Sequence, residues 1–370
     1  MIQGVLPRRL QRTKANGLSN RTNLFAGSKP IPNEPSLEEI ELFWENLLMR
    51  MLTIGVPTYN RINAVLRLIT QFIEQGTFKV AHIVVLDDGS SDGTYGALSA
   101  QQAIINNDVR VIRNEVNTGY AKSFLRLFQE CKTEYLLIMA DDDMLVAENF
   151  EEINSLVGKI RPDFASPQFL INGSIYRGMS KTGDISPGDF ILCCSHAPGL
   201  IYRIESCRAG LELLAARVEL ECAEALIYPQ MVLVVSLLSN NARCFWLALP
   251  VAYEMDNSPS GIRDVSGAPY WCLESRWKQL KAIDNLLSSM LEDGSRSAVL
   301  QMIRAHRERV FSSLTIAIET ECVELRSAFD KGAESYYLNR VLKRVSGMGF
   351  LRNFVRSRVS PSKSKQHCRA

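Results

Sequence analysis

Residues 135–143 read Tyr135-Leu136-Leu137-Ile138-Met139-Ala140-Asp141-Asp142-Asp143. The apolar run predicts a buried strand, and the strand ends in three adjacent carboxylates. Carboxylates this close repel one another and raise each other's pKa, so the cluster needs a neutralising partner. A hard divalent cation such as Mg²⁺ or Mn²⁺ fits, because it prefers oxygen ligands and leaves positions open for phosphate oxygens. The alternative is an acidic surface turn, with one aspartate capping a helix that begins near Asn149.

The chain before this strand alternates short β-rich runs with amphipathic helical segments. Strands are predicted at 52–56, 80–86 and 109–112, and further strands at 164–173 and 244–253. Residues 65–73 and 124–128 carry apolar side chains at helical spacing. This alternation is typical of an α/β fold in which helices cover a parallel sheet.

Polar loops follow the first, second and fourth predicted strands, beginning at Pro57, Asp87 and Asp141. In an open parallel sheet, ligands bind at the edge formed by the carboxyl ends of the strands. Three loops rich in Asp, Asn and Gly at that edge favour a binding crevice over three unrelated surface turns.

Four segments in this order, 57–61, 85–94, 117–119 and 140–143, resemble the signature of family 2 glycosyltransferases of the GT-A fold, of the type that builds bacterial O-antigen, capsule or exopolysaccharide. The resemblance covers roughly residues 51–145. It implies a Rossmann-like, mostly parallel sheet flanked by helices, and transfer of a sugar from a nucleotide-sugar donor to a saccharide or lipid-linked saccharide acceptor.

The same resemblance implies roles for individual residues. The nucleotide sugar is expected to contact Pro57, Thr58, Tyr59, Asn60, Asp87, Asp88, Asn117, Gly119, Lys122 and Asp141. A divalent cation, Mg²⁺ or Mn²⁺, is expected on Asp141, Asp142 and Asp143. The family often has Asp where this chain has Ala140, and an Asn or Arg-Asn pair where it has Lys122-Ser123. The first departure leaves open whether Asp141 or Asp142 coordinates the metal together with Asp143.

Sugar transfer builds positive charge on the sugar ring and negative charge on the departing diphosphate. A metal would stabilise the leaving group as a Lewis acid, and Lys122 or Arg113 could assist it. The acceptor hydroxyl must lose a proton, which calls for a carboxylate within hydrogen-bond reach. Resemblance to inverting family members implies an acidic residue near the start of a downstream helix, for which Glu224 and then Glu221 are the candidates. The alternative is that both are solvated charges on a helix face.

Two further polar residues lie in downstream loops. His196 could line the acceptor side, although a single histidine is more often structural than catalytic. Arg263 lies in a turn-rich segment that could close over phosphates.

The formal net charge of +2 excludes a general nucleic-acid binder. Basic residues concentrate at the end: residues 331–370 contain ten Lys or Arg and one acidic residue, Glu334. Apolar residues recur there at helical spacing, which is typical of a segment on an anionic membrane surface. The alternative is a basic helix docked on the protein's own domain. No apolar run approaches the ~18 residues of a membrane span. The nine cysteines lack zinc spacing and suit a reducing compartment. We therefore expect a cytoplasmic protein that can bind the inner face of the membrane.

We expect four regions: a disordered or short helical extension at 1–50, the glycosyltransferase domain at 51–270, a helical extension at 271–335 and a basic amphipathic tail at 336–370. Two other functions stay open. One is an inactive nucleotide-sugar-binding or scaffolding protein, which the broken Glu-Asp pair at Glu224-Ala225 allows. The other is a nucleotidyltransferase, but that class normally has a Gly-rich loop after the first strand.

Overall fold

The computed structural model describes residues 51–104, 109–255, 273–291 and 296–321, with side chains omitted at 102–104, 273–276 and 310–321. The predictions for 1–50 and 336–370, and for Arg263, lie outside the described residues.

The described part of the chain forms ten strands in one mixed sheet. They are β1 (Leu52–Thr58), β2 (His82–Asp87), β3 (Val109–Arg113), β4 (Tyr135–Ile138), β5 (Asp143–Leu145), β6 (Phe164–Ile171), β7 (Ser174–Arg177), β8 (Gly183–Asp184), β9 (Ile201–Arg203) and β10 (Cys244–Glu254).

Ten α-helices are described. They are α1 (Ile62–Glu74), α2 (Thr94–Ile104), α3 (Tyr120–Glu130), α4 (Ala147–Ile160), α5 (Phe190–Cys194), α6 (Arg208–Glu219), α7 (Ala223–Ile227), α8 (Pro229–Ser239), α9 (Leu273–Ser289) and α10 (Arg296–Glu321). None of these helices combines the length and the apolar character needed to cross a bilayer.

The strand order is β3-β2-β1-β4-β9-β6-β10-β5, with β7 beside β6 and β8 beside β10. The first four strands are parallel, as the sequence predicts, and so are β6 and β10. The short strands β5, β7, β8 and β9 pair antiparallel and were not predicted. Because Thr58 is in register with Asp87, the loops after β1 and β2 start side by side.

The strand residues alternate between two apolar cores, one on each face of the sheet, because successive side chains in a strand point to opposite faces. In β4, Leu136 and Ile138 contribute to one core, and Tyr135 and Leu137 contribute to the other. The first core also contains side chains of α9 and α10, including Leu286. The helical extension is therefore part of the hydrophobic core.

One alternative reading is excluded, and one local prediction is wrong. The helix after the three aspartates begins at Ala147, and its N-cap is Val146 with no side-chain cap, so no aspartate of the cluster caps it. The fourth strand ends at Ile138, two residues earlier than the apolar run suggests. Asp143 instead opens the antiparallel strand β5, in register with Glu254 of β10.

Candidate active site

The carboxyl ends of β1 and β4 are joined by a buried hydrogen bond. Thr58 Oγ1 donates to Asp141 Oδ2 at 2.7 Å. Arg61, in the loop that follows Thr58, donates to Asp141 Oδ1 at 3.2 Å and also pairs with Asp142 Oδ2. Burial raises the pKa of Asp141 to about 6, although Arg61 and Thr58 act in the opposite direction. The charges of Asp141 and Asp142 are thus partly balanced by a residue of the chain itself.

The loop after β2 organises the segment that leads into α3. The buried Asp88 carboxylate accepts hydrogen bonds from Asn114 Nδ2 at 2.6 Å, from Thr118 N and Oγ1 at 2.9 Å each, and from Gly119 N at 2.8 Å. Gly89 lies so close to this segment that a Cβ atom would sit 2.6 Å from the carbonyl carbon of Val116. Its φ of +74° also lies in the region that favours glycine.

The neighbouring Asp87 is fully buried, and its charge is balanced by Arg113. Arg113 Nε lies 3.3 Å from Asp87 Oδ2, and Arg113 Nη2 donates to Ser90 O at 2.9 Å. The guanidinium also lies over the ring of Tyr95. Arg113 and Lys122 are the two basic side chains that could assist at the phosphates. Arg113 is held at the loop after β2, and Lys122 is exposed on α3.

The loops after β1 and β2 are bonded to each other. Asn60 N donates to Ser90 Oγ at 2.8 Å, and Ser91 N donates to Asn60 Oδ1 at the same distance. Pro57 is half-buried, while Tyr59 and Asn117 are exposed. The structure thus brings the predicted nucleotide-binding loops together at one edge of the sheet, where Tyr59 is 42% exposed.

Asp143 differs from the other two aspartates because it has no basic partner from the loop after β1. It is 5% exposed, and its Oδ2 atom makes no hydrogen bond within the described residues. His196 Nε2 lies 3.9 Å from that atom, too far for a hydrogen bond. Burial raises the pKa of Asp143, and His196 opposes this shift.

The loop that carries His196 is held by Arg177, a fully buried side chain at the end of β7. Arg177 Nη1 donates to His196 O and Pro198 O at 2.6 Å each, and Nη2 donates to Pro167 O at 3.1 Å. Burial lowers the pKa of Arg177 to about 10. Gly199 directly follows Pro198 and has a φ of +79°. A Cβ atom at Gly199 would lie 2.4 Å from Val251 Cγ1.

The described residues contain no group of three His, Cys, Asp or Glu side chains arranged to hold a metal. A catalytic Mg²⁺ or Mn²⁺ does not need one, since such ions are commonly held by one or two carboxylates together with phosphate oxygens and water. The unpaired oxygen of Asp143, beside the exposed Asp142, fits this kind of site.

The two candidate bases lie in different surroundings. Glu224 is in the first turn of α7, near the start of a helix as expected, and it is 3% exposed. Its carboxylate forms an ion pair with Arg217 of α6, and Arg217 also reaches Ser289 of α9. Glu221 is exposed in a turn with a φ of 54°, so residues 218–230 are not one continuous helix. This ion pair joins Glu224 to α6 and not to the loops after β1, β2 and β4.

Several residues of the site were not predicted. Arg61 belongs to the quoted motif 57–61, and its place in that motif was the available signal. Asn114 and Thr118 flank the predicted Asn117, but their shared partner Asp88 is known only from the fold. Arg177 had no sequence signal, because nothing in its neighbourhood indicates that its charge is buried.

The sequence and the fold were compared with known proteins. Residues 53–193 match the family described as Glycosyl transferase family 2. The structure of S. aureus TarS 1-349 in complex with UDP-GlcNAc is 17% identical, with a TM-score of 0.51, over 70% of this chain and 72% of that one. The complex of the same protein with UDP gives a TM-score of 0.50 at the same identity and coverage.

A mannosyltransferase, PcManGT from Pyrobaculum calidifontis in complex with GDP-Man and Mn2+, is 13% identical with a TM-score of 0.45, over 82% of this chain and 90% of that one. At these identities the likeness concerns the fold alone. No curated protein gave a significant match to the sequence.

Proposed function

We propose that this protein is a metal-dependent, inverting member of family 2 of the glycosyltransferases, which are GT-A enzymes that take a sugar from a nucleotide-sugar donor. The proposal starts from residues 53–193, which match that family. The acceptor we propose is a saccharide, free or linked to a lipid, in the synthesis of a surface polysaccharide. The observation that carries the proposal is the bonded set of loops after β1, β2 and β4, the last of which leads directly into Asp143. The buried Oδ2 atom of Asp143 makes no hydrogen bond within the described residues.

The donor is proposed to bind across the loops after β1 and β2. The exposed Tyr59 ring can stack on the base, since every nucleobase offers an apolar face. Asp88 holds the 114–119 segment in place through four hydrogen bonds, so we propose that it shapes the nucleotide pocket as well as contacting the ligand.

The metal is proposed to bind at Asp143, with Asp142 at the exposed side. When bound, such an ion stabilises the negative charge that develops on the leaving diphosphate. Arg61 balances the charges of Asp141 and Asp142 and keeps the loop after β1 against the cluster. The exposed Lys122 is close in sequence to the 114–119 segment and remains a candidate for the outer phosphate oxygens.

For the base, Glu224 stays our prediction. Its place in the first turn of α7 supports the assignment, and its ion pair with Arg217 means that a substitution also affects packing. Inversion requires the acceptor oxygen to attack the sugar from the face opposite the diphosphate in a single displacement, and a carboxylate is needed to take its proton. The anomeric configuration of the product, read by NMR, tests this part directly.

Membrane association rests on the sequence alone. The basic, amphipathic pattern of residues 336–370 supports binding to an anionic surface, and those residues lie outside the described part of the chain. A lipid-linked acceptor would be presented at such a surface.

One experiment tests the proposed function as a whole. The purified chain is screened by thermal shift against UDP, GDP, dTDP and CDP sugars with and without Mn²⁺, because a bound ligand stabilises the folded state by mass action. We expect one nucleotide class to raise the melting temperature more with Mn²⁺ present, and Mn²⁺ to promote slow release of the nucleoside diphosphate. Stabilisation without any turnover would favour a sugar-nucleotide-binding scaffold instead.

A further inference from the structure

Asp143 and His196 bring two buried polar atoms close to each other. Asp143 Oδ2 and His196 Nε2 are both shielded from solvent, and neither makes a hydrogen bond within the residues that the structure describes. They are 3.9 Å apart. Buried polar atoms in native proteins are nearly always paired, so an unpaired couple of this kind needs an explanation.

A divalent cation explains both atoms at once. Metal bonds to a carboxylate oxygen or an imidazole nitrogen are about 2.0–2.2 Å long, so one ion can bridge two ligand atoms up to about 4 Å apart. We propose that His196 Nε2 is a second protein ligand of the catalytic cation, opposite Asp143 Oδ2. This inference rests on the proposed function, since it assigns a ligand to the metal that the function requires.

The other aspartates are less suited to complete the site. Asp141 already accepts from Thr58 and Arg61 with its two oxygens, at 2.7 and 3.2 Å. Asp142 is exposed and shares Arg61. A cation at Asp141 would lie beside the guanidinium of Arg61, which carries the same sign of charge. Arg61 is engaged by Asp141 and Asp142, and the Arg177 guanidinium, whose charge also acts on Asp143, donates to backbone carbonyl oxygens. One carboxylate and one imidazole leave the remaining positions to phosphate oxygens and water.

Two aromatic rings pack against the imidazole. Its ring lies against Phe169, with 4.3 Å between ring centroids, and meets the edge of Tyr176 at 5.8 Å. Arg177 fixes the backbone at His196 and Pro198, as described above. Ligands that are fixed before the metal arrives lose little freedom on binding, which is the condition for a precise site.

The proposed pair has a consequence for metal choice. Imidazole nitrogen suits first-row transition ions, whereas Mg²⁺ prefers an all-oxygen environment. We therefore expect the wild-type protein to bind Mn²⁺ more tightly than Mg²⁺, and replacement of His196 by Gln to reduce this preference.

Pulsed electron paramagnetic resonance of Mn²⁺ bound to the full chain tests the proposal, because a directly bound imidazole gives a characteristic ¹⁴N modulation. Inorganic pyrophosphate is added in a second sample to stand in for the donor's diphosphate, since it contains no nitrogen. We expect the modulation in the wild-type protein and its loss in His196→Gln, with Mn²⁺ affinity at least about tenfold weaker. His82→Gln is the matched control, because His82 lies at the start of β2 and is exposed.

The ligand assignment and the metal dependence fail with different experimental results. Mn²⁺ that binds in an Asp143-dependent way, without ¹⁴N modulation or with the same modulation in His196→Gln, would overturn the ligand assignment and leave metal-dependent transfer intact. Full sugar transfer in EDTA together with no Mn²⁺ binding would instead overturn the metal dependence on which the inference rests. Circular dichroism of His196→Gln confirms that the variant is folded, as expected for a side chain that is 34% exposed.

Discussion

Thr58 and Asp141 are 83 residues apart in sequence, and a 2.7 Å hydrogen bond between Thr58 Oγ1 and Asp141 Oδ2 joins the loops after β1 and β4. Both side chains are buried. Since a buried hydrogen bond to a charged group is stronger than a neutral one, we expect this contact to contribute strongly to holding the end of β1 against the acidic cluster.

Thr58→Val tests the contribution of this tie. The substitution keeps the shape of the side chain but leaves a carboxylate oxygen of Asp141 without its hydroxyl partner. We expect the free energy of unfolding to fall by about 1–3 kcal/mol, measured by urea denaturation. Thr70→Val is the control, because Thr70 is exposed and its hydroxyl bonds only within α1, to Leu66 O. Equal losses in the two variants would contradict the role of the Thr58 contact.

The three aspartates are predicted to differ in function. Asp143→Asn removes the charge of the proposed metal ligand, so we expect Mn²⁺-dependent transfer to fall by at least about 100-fold while the fold survives. Asp142→Asn should have a smaller effect, because this exposed side chain is already paired with Arg61. Transfer rates over a Mn²⁺ titration, with EDTA as the zero point, measure both. The assignment fails if Asp142→Asn is the more damaging substitution.

The parallel half of the sheet could be predicted from sequence because each strand is a short apolar run followed by a polar turn. The alternation of Leu136 and Ile138 with Tyr135 and Leu137 between two cores follows from the same pattern. Strands such as β5 and β9 could not be predicted, since three residues carry too little pattern and their pairing depends on distant chain segments.

The site was predictable to the level of its loops but not of its contacts. Asp141, Asp142 and Asp143 are equivalent in sequence, and only the fold distinguishes them, because Arg61 reaches two of them and His196 faces the third. The proximity of His196 to Asp143 depends on Arg177, which reaches its position through β7, a strand that was not predicted.

Arg177 is expected to be essential for stability. Its replacement by Met removes the donors to three backbone carbonyls, those of Pro167, His196 and Pro198, in a largely buried region. Unsatisfied buried groups make this one of the costly classes of substitution, so we expect a loss of about 3 kcal/mol or more in the free energy of unfolding. Arg208→Met, on the exposed start of α6, should change it by less than about 0.5 kcal/mol. Similar stabilities for the two variants would show that Arg177 is dispensable.

The buried His306 predicts that the free energy of unfolding depends on pH, independently of the active site. This side chain is buried in α10, its Nε2 lies 3.0 Å from Leu280 O of α9, and burial lowers its pKa. Below the ordinary histidine pKa of about 6.5 the unfolded chain takes up a proton that the folded chain resists, so stability is present above this pH and is lost as the pH falls. Urea denaturation between pH 5 and pH 8, at about one-unit steps, should show this slope, and His306→Gln should flatten it. An unchanged slope in the variant would exclude His306 as its source.

The base assignment is decided by comparing Glu224 with its partner Arg217. Glu224→Gln keeps the side-chain volume but removes the carboxylate, so if Glu224 takes the acceptor's proton, transfer should fall by about 10²–10⁴-fold with donor affinity unchanged. Arg217→Met breaks the same ion pair but keeps the carboxylate, and should therefore reduce stability more than turnover per folded molecule. Glu221→Gln, in an exposed turn, is the control for a carboxylate nearby in the chain.

These variants separate a catalytic role from a structural one because rate and stability are measured on each. If Glu224→Gln and Arg217→Met lose stability to a similar extent and both keep the wild-type turnover per folded molecule, Glu224 is an ion-pair residue that holds α7 against α6. If Glu221→Gln alone loses transfer, the base is Glu221, and its exposed position would place the acceptor outside the buried cluster of α6, α7 and α9. We expect neither result: loss of transfer in Glu224→Gln, with near-normal turnover in the other two variants, is the outcome that fits a base in the first turn of α7.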